Sequence, residues 1–106
     1  MSVFIRDDEK RIIAGLTGKT YREYLEIQFL WVDERSRKGG LASSLMAAAE
    51  SQALQRGCKR AFLDTLSFQA PGFYKKLGYT EFGRLCGFSG QHERHFLRQQ
   101  LEPTPR

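Results

Sequence analysis

No apolar run in these 106 residues approaches the ~20 that a bilayer-spanning helix needs. Met1-Ser2-Val3 lacks the basic and apolar regions of a secretory signal, so a cytoplasmic location is the expectation. Cysteine is scarce. Cys58 and Cys86 are too few and too isolated for a disulfide framework or a zinc site, and reduced, structural thiols are expected. His92 and His95 have no cysteine or carboxylate at ligand spacing. As members of one strand three positions apart they would point to opposite faces, so no metal is expected. Repeats, linkers and low-complexity segments are missing too. That leaves one domain over 1–101, with 102–106 as a frayed tail.

Hydrophobic residues make up 41% of the chain and charged residues 27%, the proportions of a globular protein with a buried core. A formal charge of +5 suits an anionic ligand, but it equally serves nucleic acid binding or solubility.

The chain opens with predicted strands at Ser2–Arg6, Arg11–Thr17 and Tyr24–Val32, with Gly18-Lys19 as a turn. Strict alternation in the third puts Leu25, Ile27, Phe29 and Trp31 on one face. Tyr24, Glu26, Gln28, Leu30 and Val32 then take the other. Connections this short make the three strands antiparallel. A helix follows over Gly40–Arg56, with Leu41, Leu45, Ala48, Ala49 and Ala53 as its apolar stripe and Gly57 as its left-handed stop. Lys59–Leu66 returns as a strand parallel to Tyr24–Val32, because a helix joins them. Pro71 opens a second helix that stops at Gly78. Tyr79–Leu85 and His92–Leu101 close the chain as an antiparallel pair, joined by the Cys86–Gln91 loop. The order is β-β-β-α-β-α-β-β, a mixed α+β arrangement around a mostly antiparallel sheet.

One segment carries chemistry: Arg37-Lys38-Gly39-Gly40-Leu41-Ala42, between the third strand and the first helix. Two glycines permit a sharp turn and close backbone approach. The helix start leaves N–H donors unpaired with the dipole positive toward the same point. Arg37 and Lys38 add cations, and Ser43 and Ser44 offer hydroxyls. Together these make a pyrophosphate cradle. It is neither a Walker A loop, lacking Gly-Lys-Ser/Thr at the required spacing, nor a dinucleotide fingerprint, lacking G-x-G-x-x-G. Lys75 and Lys76 read as a solvated helix face.

Arg37, Gly40 and Ala42 match the pattern Arg/Gln-x-x-Gly-x-Gly/Ala, and here the chain resembles the GNAT superfamily of acetyl-CoA-dependent N-acyltransferases. Leu30-Trp31-Val32 ends the strand whose backbone holds the pantetheine arm in that family. Glu26 stands where its histone-acetylating branch carries a general base. Ser67-x-x-Ala70-x-x-Phe73-Tyr74-Lys75-Lys76-Leu77-Gly78-Tyr79 resembles the family's Asn-x-x-Ala-x-x-(apolar)-Tyr-(x)-Lys-Leu-Gly-Phe/Tyr signature, with Ser67 replacing the common Asn. The resemblance runs from Val3 to about Leu101. It lacks the strand and two helices with which members usually begin, helices that wall one side of the acceptor pocket.

The resemblance implies an N-acetyltransferase that moves an acetyl group from acetyl-CoA to a primary amine by direct transfer. It implies Glu26 as base, Tyr74 as acid toward the leaving thiolate, and the amides of Leu30 or Val32 as donors to the carbonyl. It puts Arg37, Lys38, Gly39, Gly40, Leu41, Ala42 and Ser43 on the pyrophosphate, with Ser67 and Phe73 also on the cofactor. A local splay between the third and fourth strands would free the donor amides. Other readings stay open. The chain could be a non-catalytic CoA-binding module, or a fragment acting through a partner. A nucleic-acid binder has less to support it, because no aromatics interleave a basic stripe. His92 could line the acceptor pocket. An unprotected edge at the first strand, with apolar surface beside it, predicts a homodimer.

Overall fold

The strand-forming residues at the start of the chain build a meander. In the computed structural model, which describes residues 1–36, 39–67, 71–87, 90 and 92–101, β1 is Ser2–Arg6, β2 Ile12–Tyr21 and β3 Tyr24–Val32. A short 3₁₀ turn (Glu34–Ser36) leads toward α1 (Leu41–Gln55). Then come β4 (Arg60–Leu66), α2 (Pro71–Lys76), β5 (Thr80–Leu85) and β6 (Arg94–Gln100). The strands form one six-stranded sheet, ordered β1-β2-β3-β4-β6-β5. β3 and β4 run parallel, as a helical crossover requires, and the other neighbouring pairs run antiparallel. The mixed α+β architecture is the one expected.

Gly18-Lys19 is not a turn. β2 runs on to Tyr21, and the chain reverses at Arg22, whose φ of 47° is left-handed. Gly18 serves close approach instead: a Cβ there would lie 2.6 Å from the Glu26 carbonyl oxygen across the ladder.

The alternation expected along β3 also fails, for a physical reason. Gly18 pairs with Ile27 but Thr17 pairs with Phe29, which leaves Gln28 as the extra residue of a bulge. The bulge flips everything beyond it. Leu25 and Ile27 are buried against α1, and Leu30 and Val32, not Phe29 and Trp31, continue that inner face. Phe29 is 71% exposed and Trp31 45% exposed on the outer face. There Trp31 and Phe4 meet over Gly15, which has no Cβ to hold them apart.

α1 lays Leu45, Met46, Ala49 and Ala53 on the inner face, against Ala14, Leu16, Leu25, Ile27, Leu63 and Leu97. Each fully buried Leu contributes roughly 1.5–3 kcal/mol. Met46 joins the stripe foreseen from Leu45, Ala49 and Ala53, while Leu41 and Ala48 sit half-buried at its rim. Both helices end as glycine stops. Gly57 and Gly78 have φ of 91° and 101°, and Cys58 and Tyr79 donate back to Ala53 and Tyr74 in Schellman geometry. The buried Tyr79 hydroxyl donates to Glu50 of α1 at 2.7 Å, tying the end of α2 to the first helix. Burial pushes the Glu50 carboxyl above its usual range. Cys58 is buried and Cys86 exposed, both as free thiols. Among the described residues no helix is long and apolar enough to cross a membrane, and no three His, Cys, Asp or Glu side chains converge as a metal site.

Candidate active site

The bulge in β3 coincides with a break in the sheet. β3 and β4 pair from Tyr24↔Arg60 to Ile27↔Leu63 and no further. Beyond that point β3 stays with β2 while Asp64, Thr65 and Leu66 of β4 stay with β6. The two parallel strands therefore part into a fork just past Ile27 and Leu63, which is the splay the sequence reading required. Asp33 N–H donates to the Ile13 carbonyl at 2.7 Å. Strand alternation from that bond turns the amides of Leu30 and Val32 away from β2, toward the fork.

Candidate residues lie on both faces of the sheet. On the outer face, half-buried Glu26 lies between the buried Leu25 and Ile27, in register with Lys19 and Phe62. The Tyr21 hydroxyl donates to Glu26 Oε1 at 3.0 Å. That bond to a carboxylate holds the Tyr21 phenol above its ordinary pKa. On the inner face, Leu30, Val32, Leu41, Phe73 and Tyr74 form a half-buried rim around the core. Phe73 meets the Tyr74 ring edge-on at 5.1 Å, and Tyr79 meets it at 6.2 Å. Among the described residues the Tyr74 hydroxyl makes no hydrogen bond, yet it is not sealed from solvent. Burial of the ring raises its pKa, so the phenol stays protonated at neutral pH.

α1 starts as the glycines predicted. Gly40 is its N-cap, at φ 71° and ψ 18°, and no side chain caps the helix. The leading amides of Leu41, Ala42 and Ser43 therefore have no intrahelical acceptor. Nothing described lies within 4 Å of where a Gly40 Cβ would stand. The Ser44 hydroxyl turns back to the Gly40 carbonyl at 3.3 Å, whereas Ser43 is exposed. Gly39 N–H donates to the Ser36 carbonyl at 3.3 Å, closing the turn. Arg37, Lys38 and Ala70 lie outside the described residues.

Ser67, just past β4, is engaged by the lead-in to β6. Its Oγ accepts from the Glu93 N–H at 3.2 Å and lies 3.2 Å from His92 Nδ1. His92 thus precedes β6 rather than belonging to it, because pairing with β4 begins only at Arg94. His95 is buried within β6, its Nδ1 2.8 Å from Glu81. Glu81 also takes Arg84 and, at 3.5 Å, Lys75 of α2, and so anchors the helix that carries Tyr74. The hydrogen bond from Arg84, then that from His95, holds the Glu81 carboxyl down at about 2. Neither Tyr21–Glu26 nor this Glu81 network was foreseen. Both are long-range pairings with no local spacing signal.

A helix start with no side-chain cap offers its amides to an anion, and the parted strands open a gap in the sheet. Comparison with known proteins carries this to a family. The Acetyltransferase (GNAT) family profile matches residues 1–79. An acetyltransferase of Agrobacterium fabrum is 39% identical over 101 residues, covering 95% of this chain and 74% of the relative. Blasticidin-S acetyltransferase of Streptomyces morookaense is 42% identical over 91 residues, covering 85% and 67%. The crystal structure of an acetyltransferase from Bacillus cereus superposes with a TM-score of 0.91 at 41% identity, covering 94% of this chain and 71% of that one. The chain belongs to the GNAT acetyltransferase family. It is an acyltransferase with acetyl-CoA as donor and an amine as acceptor.

Proposed function

We propose that this chain acetylates a primary amine by direct transfer, with Glu26 and Tyr74 acting from opposite faces of the fork. The observation that carries this reading is the end of β3–β4 pairing at Ile27↔Leu63, one residue past Glu26, with Tyr74 half-buried against the inner-face core. Acetyl-CoA supplies an activated thioester. Glu26 accepts the ammonium proton of the acceptor, directly or through a water, and the Tyr21 hydroxyl fixes its orientation. The amides of Leu30 and Val32 stabilise the developing oxyanion. Loss of one such donor costs about 3 kcal/mol in other enzymes. Tyr74 returns a proton to the leaving thiolate. Gly39 and Gly40 shape the turn that offers the amides of Leu41, Ala42 and Ser43 to the pyrophosphate, with Arg37 and Lys38 as counter-charges and Ser67 and Phe73 at the edge of the cofactor groove.

Residues 1–101 act as one acyl-CoA-binding domain in this reading, in the cytoplasm. One relative is named blasticidin-S acetyltransferase, which supports blasticidin-S as an acceptor to include in the assay. A homodimer is the further expectation, supported by Phe4, Phe29 and Trp31 exposed on the outer face beside the β1 edge. Light scattering that finds a monomer at high concentration contradicts it. For the catalytic roles the test is turnover of acetyl-CoA with an amine panel. Glu26→Gln and Tyr74→Phe should each lower kcat by about 10²–10⁴-fold. Unchanged turnover in either variant, or CoA binding with no transfer in the parent chain, overturns the assignment.

A further inference from the structure

The outer face of the sheet carries charge in a pattern that bears on the acceptor. Register places Glu26, Phe62, Arg98 and Thr80 in one row across β3, β4, β6 and β5. Two interstrand steps separate Glu26 from Arg98, about 10 Å. At the Arg98 end lies a cavity of about 400 Å³, lined by Tyr24, Arg60, Thr80, Arg98 and Gln100 among others, with no carboxylate in its wall. Arg60 reaches Glu23 at 3.0 Å, and Glu23 also takes Lys59 at 3.6 Å. Arg98 rests over the Phe82 ring at 5.3 Å and has no carboxylate partner among the described residues. A guanidinium braced on an aromatic ring in a groove rich in donors is built to receive a planar anion.

We infer that the Arg98–Arg60 cavity is the acceptor's anion subsite, so that the preferred acceptors are amines carrying a carboxylate or a similar anion several bonds from the nitrogen. The inference rests on the Glu26 reading: Glu26 takes the amine end and Arg98 the acid end, with Phe62 as the apolar floor between them. Arg98 acts by binding and leaves the chemical step alone.

The test compares ε-aminocaproate with hexylamine, two acceptors of equal chain length that differ in the acid. The parent chain should show a KM about 10-fold lower for ε-aminocaproate at similar kcat. Arg98→Gln should erase that difference while leaving kcat unchanged, the signature of lost ground-state binding. Arg98 is exposed, so the variant should fold. Calorimetry of both amines in the presence of CoA reads the same preference without turnover, and it decides the matter if neither amine is acetylated. Equal binding of the two amines by the parent chain, or a preference that survives Arg98→Gln, overturns the inference. Failure of the Glu26 role is seen separately, as an unchanged kcat in Glu26→Gln with both amines.

Discussion

Replacing Gly40 by alanine isolates what the left-handed turn contributes. A Cβ at Gly40 would meet nothing within 4 Å, so no clash enters. The cost comes from holding an L-residue at φ 71°, about 1–2 kcal/mol. Alanine also restricts the unfolded chain, which offsets roughly 0.4–1 kcal/mol of that. The net expectation is a loss of about 1 kcal/mol, a fall in Tm of ~4–8 °C for a domain near this size. If the chain instead relaxes out of the left-handed region, the amides of Leu41, Ala42 and Ser43 turn away and CoA affinity falls about tenfold, within the range of helix-end interactions. Gly39→Ala is the control. Its Cβ would sit 3.7 Å from the Ser36 oxygen, an ordinary contact, and with no left-handed φ to hold, stability should rise by about 0.4–1 kcal/mol through the unfolded chain. Thermal unfolding and CoA calorimetry on both variants read the two effects. Gly40→Ala that melts with the parent and binds CoA equally well would refute the reasoning, because the turn would then not be what presents the amides.

Gly18→Ala should destabilise more, by about 1–3 kcal/mol in denaturant titration, since its Cβ would stand 2.6 Å from a backbone oxygen that cannot swing aside. Leu45→Ala, emptying a site 1% exposed under α1, should cost about 2–5 kcal/mol in the same assay. The depressed Glu81 carboxyl gives a pH signature: its stabilisation is full above the ordinary value of 4.5 and disappears as pH falls toward about 2. Acid titration of stability should therefore be shallower over that window in Glu81→Gln than in the parent.

Local chemistry made much of this fold legible. Gly57 and Gly78 stop helices where a left-handed residue was expected, Pro71 opens α2, and a helix between β3 and β4 makes them parallel. The misses share one cause, that partners distant in sequence decide the outcome. Period-two reading of β3 assumed an unbroken ladder, and the extra residue Gln28 reversed the facing of Phe29 and Trp31. Gly18 has the composition of a turn but serves strand contact with Glu26. At the candidate site, the glycine turn that starts α1 was legible from its residues, whereas Leu30, Val32, Phe73 and Tyr74 entered as candidates only through the family resemblance. The Tyr21 partner of Glu26 and the Glu81 anchor of α2 were not legible, because each joins elements that only the folded sheet brings together.

The central claim is that two backbone elements grip one ligand: the uncapped start of α1 and the fork edge of β3. Amide chemical shifts of the ¹⁵N-labelled chain, followed while CoA is added, test it most directly. The account predicts the largest changes at Leu41, Ala42 and Ser43, with a second group at Leu30 and Val32. Saturable binding that leaves those five amides unmoved, with shifts concentrated elsewhere on the sheet, would contradict it.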